Sequence, residues 1–197
     1  MFLAIAPSAY ALETGSPPVL APLEQQAQAA HLSAQFLTRF HYKPVPLDDA
    51  LSARIMNRFI KSLDPDRVLF LKADIDKFMA DSAKIDDAIN REDLQIPFTI
   101  FNVYEQRVVD RMNYARSLLK QGFDFSVQED YSLLRDKEPW PQSEAESNEL
   151  WRKRVKSDWL RLKLAGKADA AIRDTLDKRY ENSLERAYKY KSDDVFQ

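Results

Sequence analysis

The chain has 197 residues, 45% of them hydrophobic and 30% charged, with 29 basic against 31 acidic residues and a net charge of −2. That mixture supports one domain, or one domain with tails, and excludes both wholesale disorder and the basic footprint of a nucleic-acid binder. Three glycines, where average usage would give about fourteen, are too few for the turns and phosphate loops of a parallel α/β enzyme, and the absence of cysteine removes thiol nucleophiles, disulfides and thiolate metal sites.

Residues 2–6 are nearly all apolar, and Ala9-Tyr10-Ala11 fits the small-residue rule for signal-peptide cleavage. Residues 1–11 therefore read as a signal-peptide remnant, although the apolar run is short and no basic residue precedes it; the alternative is an ordinary leader. Residues 12–22, with Gly15, Pro17, Pro18 and Pro22, read as a flexible lead-in to a helical domain over residues 23–197. No stretch approaches the ~20 apolar residues of a membrane span.

The first helix is expected from Leu23 to Phe40, with Leu23, Ala27, Ala30, Ala34, Leu37 and Phe40 as its apolar stripe. Pro44 and Pro46 break it. Asp48 is placed to cap a second helix carrying Leu51, Ile55, Phe59 and Leu63, and Asp64-Pro65-Asp66 stops it. Val68 to Leu71 is a short apolar run, extended or a buried turn. A third helical segment spans about Asp74 to Asn90, with Ile75, Phe78, Met79, Ile85 and Ile89.

The longest helix starts near Pro97, a residue suited to a first turn, and carries Ile100, Phe101, Tyr104, Val108, Met112, Ala115 and Leu119 before Gly122. Residues 123–142 are aromatic, acidic and proline-rich, and read as an irregular connector. Ser143 and Glu146 form a capping-box pattern ahead of a helix through Leu150, Trp151, Val155, Trp159, Leu162 and Ala165, closed by Gly166. A last long helix from about Asp169 buries Ile172, Leu176, Tyr180, Leu184 and Ala187. Ser192 to Phe196 looks like the start of another helix, which suggests that the natural chain continues. The fold class is all-α, an irregular bundle of about six helices.

The residues assemble no catalytic motif. His31 and His41 lack the spacing of a zinc pair, and the acids Asp74, Asp76, Asp81, Asp86 and Asp87 lack the glycine and distal glutamate of a calcium loop, so they read as a solvated helix face. Ser117 and Lys120 have a literal Ser-x-x-Lys spacing at the end of a surface helix, a common chance match. Arg152-Lys153-Arg154 and Lys178-Arg179 are interleaved with Glu149, Asp158, Asp174 and Glu181, a mixed salt-bridged face. No cofactor or metal site is expected. Trp140, Trp151 and Trp159 are candidates either for anchoring the connector to the core or for contacting a partner.

Three blocks resemble the N-terminal region of tail-specific proteases, the carboxy-terminal processing peptidases of the bacterial cell envelope. The first runs from Ser52-Ala53-Arg54-Ile55 through Leu63-Asp64-Pro65-Asp66-Arg67 to Phe70-Leu71-Lys72-Ala73-Asp74-Ile75. The second holds Asp136-Lys137-Glu138-Pro139-Trp140-Pro141, Ala145-Glu146, Leu150-Trp151-Arg152-Lys153-Arg154-Val155-Lys156 and Leu162-Lys163-Leu164-Ala165-Gly166-Lys167. The third holds Thr175-Leu176-Asp177-Lys178-Arg179-Tyr180 and Asp194-Val195-Phe196.

The resemblance implies a large periplasmic serine endopeptidase in which a helical N-terminal domain precedes a PDZ domain and a Ser/Lys catalytic core. Such enzymes act on proteins with apolar C-terminal tails, and some work with a lipoprotein adaptor. The family's catalytic and tail-binding residues lie outside the resembling blocks, so none is placed on this sequence. Three readings follow: a non-catalytic domain of such a protease, a free-standing helical binding module, or a small enzyme using a carboxylate pair between helices.

Overall fold

The computed structural model describes residues 15–42 and 45–196, so the signal-peptide reading of residues 1–11 lies outside the described residues. The described residues form eight helices and no strand: α1 Glu24–Phe40, α2 Asp49–Leu63, α3 Lys72–Met79, α4 Ile85–Asn90, α5 Gln95–Gln121, α6 Glu144–Leu164, α7 Asp169–Ala187 and α8 Ser192–Phe196. The all-α class holds, and residues 123–142 are irregular, as expected.

Helix boundaries follow local chemistry. Asp48 Oδ1 accepts the Leu51 N–H at 2.8 Å, and Ser143 Oγ accepts the Glu146 N–H at 3.2 Å. Glu146 reaches back to the Gln142 N–H at 2.7 Å, one residue further than a standard capping box. Gly122 and Gly166 follow α5 and α6 at φ 77° and 81°, where a Cβ would be strained.

Helix α5, about 40 Å long, is the axis of the molecule, and it packs against α2, α6, α7 and α8. Its C-terminal half joins α6 and α7 in the largest core, where Met112 and Leu119 meet Trp151 and Val155, and Ile172, Leu176 and Leu184 close the seam. All five residues expected on the α7 stripe are buried. Arg116 grips Asp177 through two hydrogen bonds of 2.7 and 3.0 Å, tying α5 to α7. The N-terminal half of α5 gives Ile100 to a second core with Met56, Ile60, Phe70 and Phe78.

Three expectations are corrected. The 74–90 segment is two helices, because Asp81 and Ser82 fall in a turn that lets α4 fold back against α2. The N-terminus of α4 takes its cap from another helix, since Ser52 Oγ accepts the Asp86 N–H at 2.9 Å. On α2 the buried line is Ser52, Met56 and Ile60, one residue on from the expected Leu51, Ile55 and Phe59, because Met56 and Ile60 join the second core while Ser52 bonds Asp86. On α1 only Ala27 of the expected stripe is buried, while Leu23, Leu37 and Phe40 are exposed.

The lead-in is hydrogen-bonded across the bundle. Leu20 exchanges two 2.9 Å bonds with the Asn102 amide, Tyr188 Oη donates to the Gly15 carbonyl and Ser192 Oγ to the Ala21 carbonyl.

Beneath α8, Glu105 on α5 is fully buried, and neither carboxylate oxygen has a hydrogen-bond partner. Burial, with the nearby Asp194 charge, pushes its carboxyl from 4.5 up to about 7. The folded value lies above the unfolded one, so the stability it contributes is complete below about pH 4.5 and is lost as pH rises through about 7. Glu105→Gln should therefore gain on the wild type by about 3 kcal/mol between pH 4.5 and 8, measured by urea unfolding at each pH. An unchanged difference across that range would show that Glu105 does not titrate there.

Candidate functional site

The residues of the first two blocks meet in one joint. Asp64, at the C-terminal end of α2, is 1% exposed. Its Oδ1 accepts the Val68 N–H at 2.9 Å, and its Oδ2 accepts the N–H groups of Leu69 and Phe70, each at 3.1 Å. Trp140 Nε1 donates to the same Oδ2 at 3.1 Å, from 76 residues away. Burial pushes the Asp64 carboxyl above its ordinary range, against four donors that favour the charged form.

Arg67 completes the joint. It sits at φ 53°, a left-handed conformation that turns its side chain over the Trp140 ring, 4.4 Å from the centroid. Arg67 Nη1 also donates to the Glu138 carbonyl at 2.8 Å, and the Lys72 N–H donates to the Pro141 carbonyl at 2.9 Å. Thus the connector's Pro-Trp-Pro end is fastened to the turn after α2. Trp151, 2% exposed, donates from Nε1 to the Val68 carbonyl at 2.7 Å. Trp159, also buried, packs edge-on against Phe123 at 5.9 Å, at the other end of the connector.

A ladder of charges flanks the joint. Asp74, expected on a solvated acidic face, is instead 8% exposed and accepts two hydrogen bonds from Arg107, at 2.9 and 3.2 Å. Glu144 bridges Arg107 and Arg111, and Arg111 also reaches Ser147 and Asn148. This locks α3, α5 and the start of α6 together. The sequence carries the acids and arginines but not their pairing, since the partners stand 33 or more residues apart. Farther along the connector, Glu129 meets Arg152 and Lys156, which hold its carboxyl down to about 2.

Other sequence candidates are dispersed. Ser117 Oγ donates to the Tyr114 carbonyl of its own helix, and Lys120 is exposed. His31 lies 3.1 Å from the Ile89 carbonyl and 2.7 Å from Gln35 Nε2. Among the described residues no group of three His, Cys, Asp or Glu side chains is placed to hold a metal ion. A cleft of about 230 Å³ beside the joint is lined by Asp66, Tyr104, Arg154, Arg186 and Tyr190, with Trp151 in its wall.

The described residues thus define an all-α domain in which Asp64, Trp140 and Trp151 are spent on internal joints. A family model described as the tail-specific protease N-terminal domain matches residues 33–197. A tail-specific protease of Haemophilus influenzae is 37% identical over 175 residues, covering 88% of this chain and 25% of that protein. The chain belongs to the tail-specific protease N-terminal domain family, and it spans about a quarter of the length of that curated relative.

Proposed function

We propose that this chain is the non-catalytic helical domain of a periplasmic serine endopeptidase that processes proteins at apolar C-terminal tails. Its work is to scaffold the protease and to contribute to docking of substrate or of a lipoprotein adaptor. The observation that carries this reading is the Asp64–Trp140 joint. Two of the blocks shared with the family converge there on a hydrogen-bonded hinge between α2, the connector and α6, which is the chemistry of a scaffold. In this reading Trp140, Trp151 and Trp159 are internal anchors.

Export to the periplasm rests on the Ala9-x-Ala11 pattern and on the relative's kind. No helix among the described residues is long and apolar enough to cross a membrane. The purified chain is expected to leave a fluorogenic peptide with an apolar C-terminus intact. Cleavage that follows the chain through two chromatographic steps would overturn the reading. The alternative, a free-standing binding module, requires a stop codon directly after Gln197, whereas an open frame encoding a PDZ domain removes it.

A further inference from the structure

Parts of two apolar stripes legible in the sequence, Ala30 to Leu37 on α1 and Leu51 to Ile55 on α2, face the same trough. Helices α1 and α2 both pack on α4. Between them runs an apolar trough of about 420 Å³, lined by Ala30, Ala34 and Leu37 of α1, Leu51 and Ile55 of α2, and Ile89 of α4. It shares Ala30, Ile55 and Ile89 with a second, mainly apolar cleft of about 230 Å³ that Phe59, Phe196 and Asp93 also line. Leu37 is 58% exposed and Ile55 37% exposed. A 17-residue helix with only Gln26 and Ala27 buried has little tertiary packing to hold it, and isolated helices of that length are marginal in water.

The rim of the trough carries a sign. Arg54, Arg58 and Lys61 recur along α2 at steps of four and three, all exposed and without an ion-pair partner among the described residues. At 100° per residue they lie on the side of α2 next to the Leu51–Ile55 line and turned away from buried Met56 and Ile60.

We propose that the trough between α1 and α2 receives an amphipathic helix of a protein partner, its apolar stripe on Leu37, Ile55 and Ile89 and an acidic flank against Arg54, Arg58 and Lys61. A concave floor between two helices matches a convex helix, whereas a bilayer surface is flat on this scale and would touch only the two lips. The small side chains Ala30 and Ala34 leave room for large apolar residues of the incoming helix. A second copy of this chain, paired face to face, would bring the two cationic ridges together at a cost. This inference deepens the docking part of the function proposed above. Its readout is binding, so its failure would leave the non-catalytic reading standing.

The test uses the chain itself and two fluorescein-labelled synthetic helices of about 18 residues. Both carry leucine at helical spacing; one bears glutamate along a flank and the other lysine. Fluorescence anisotropy is expected to show the glutamate peptide binding about tenfold tighter than its lysine twin. Leu37→Ser and Ile55→Ser, whose folding is checked by circular dichroism melts, should each weaken it about tenfold. The double variant R54E/R58E should invert the preference.

Equal affinity of the two peptides for the wild-type chain, or no binding of either, overturns the proposal without any variant. So does binding indifferent to both serine substitutions. Dimerisation in sedimentation equilibrium that Leu37→Ser abolishes would assign the trough to a second copy. Co-sedimentation with phosphatidylglycerol vesicles that Ile55→Ser abolishes would assign it to a lipid surface.

Discussion

Leu176→Asp is expected to unfold the domain. Leu176 is fully buried at the seam of α5, α6 and α7, in the largest core. Truncating a buried leucine costs about 2–5 kcal/mol, and an unpaired carboxylate in the same place adds its desolvation. The sum, on the order of 5 kcal/mol or more, consumes most or all of the 5–15 kcal/mol that holds a domain together. Circular dichroism at 222 nm, with the near-ultraviolet signal of buried Trp151 and Trp159, should show loss of both helix and packing. Leu164→Asp supplies the comparison: Leu164 is 79% exposed at the end of α6, and its replacement should move stability by no more than about 0.5 kcal/mol. A soluble Leu176→Asp variant with wild-type melting would show that the α5–α7 seam does not hold the fold.

Asp64→Ala is expected to cost about 3–5 kcal/mol, because it strands three backbone N–H groups and the Trp140 indole N–H at a buried turn. The loss should be local before it is global. Amide exchange at Val68, Leu69 and Phe70 and at the Trp140 indole should accelerate in conditions where the α5–α7 core stays protected. Asp64→Asn keeps one carbonyl oxygen and turns an amide toward the remaining donors, so it should fall between wild type and alanine. Retained protection at all four N–H groups in the alanine variant would show that the carboxylate is not their acceptor.

The joint around the Asp64 carboxylate helps to set the connector, and with it the start of α6, against α2. The Asp64-Pro65-Asp66-Arg67 and Pro139-Trp140-Pro141 segments are coupled here by the Asp64–Trp140 bond, 76 residues apart in the chain, and by Arg67 over the Trp140 ring. Pre-organising such a surface lowers the ordering cost that any docking partner must meet.

Much of this molecule follows from periodicity and local chemistry. The caps at Asp48 and Ser143, the stops at Gly122 and Gly166, and the stripes of α5 and α7 are local patterns whose buried face admits one answer. In α7 the apolar residues fall on one line, so no rotation of the helix could bury another. Helix α2 is different: two lines of side chains, Leu51–Ile55–Phe59 and Ser52–Met56–Ile60, compete for burial one residue apart. The fold settles the contest by packing Met56 and Ile60 with Phe70, Phe78 and Ile100, and Ser52 meets Asp86 once α4 has folded back. The pairing of Asp64 with Trp140, and of Asp74 with Arg107, is likewise invisible in the chain, because side chains 76 and 33 residues apart carry no mutual signal until packing brings them together. The sequence alone determined an all-α fold and the stripes of its long helices, though not the break that divides residues 74–90. Only the tertiary structure decided which apolar faces are covered: periodicity reports that a helix has an apolar side, whereas its burial depends on a neighbour, and α1 and α2 turn part of theirs to an open trough.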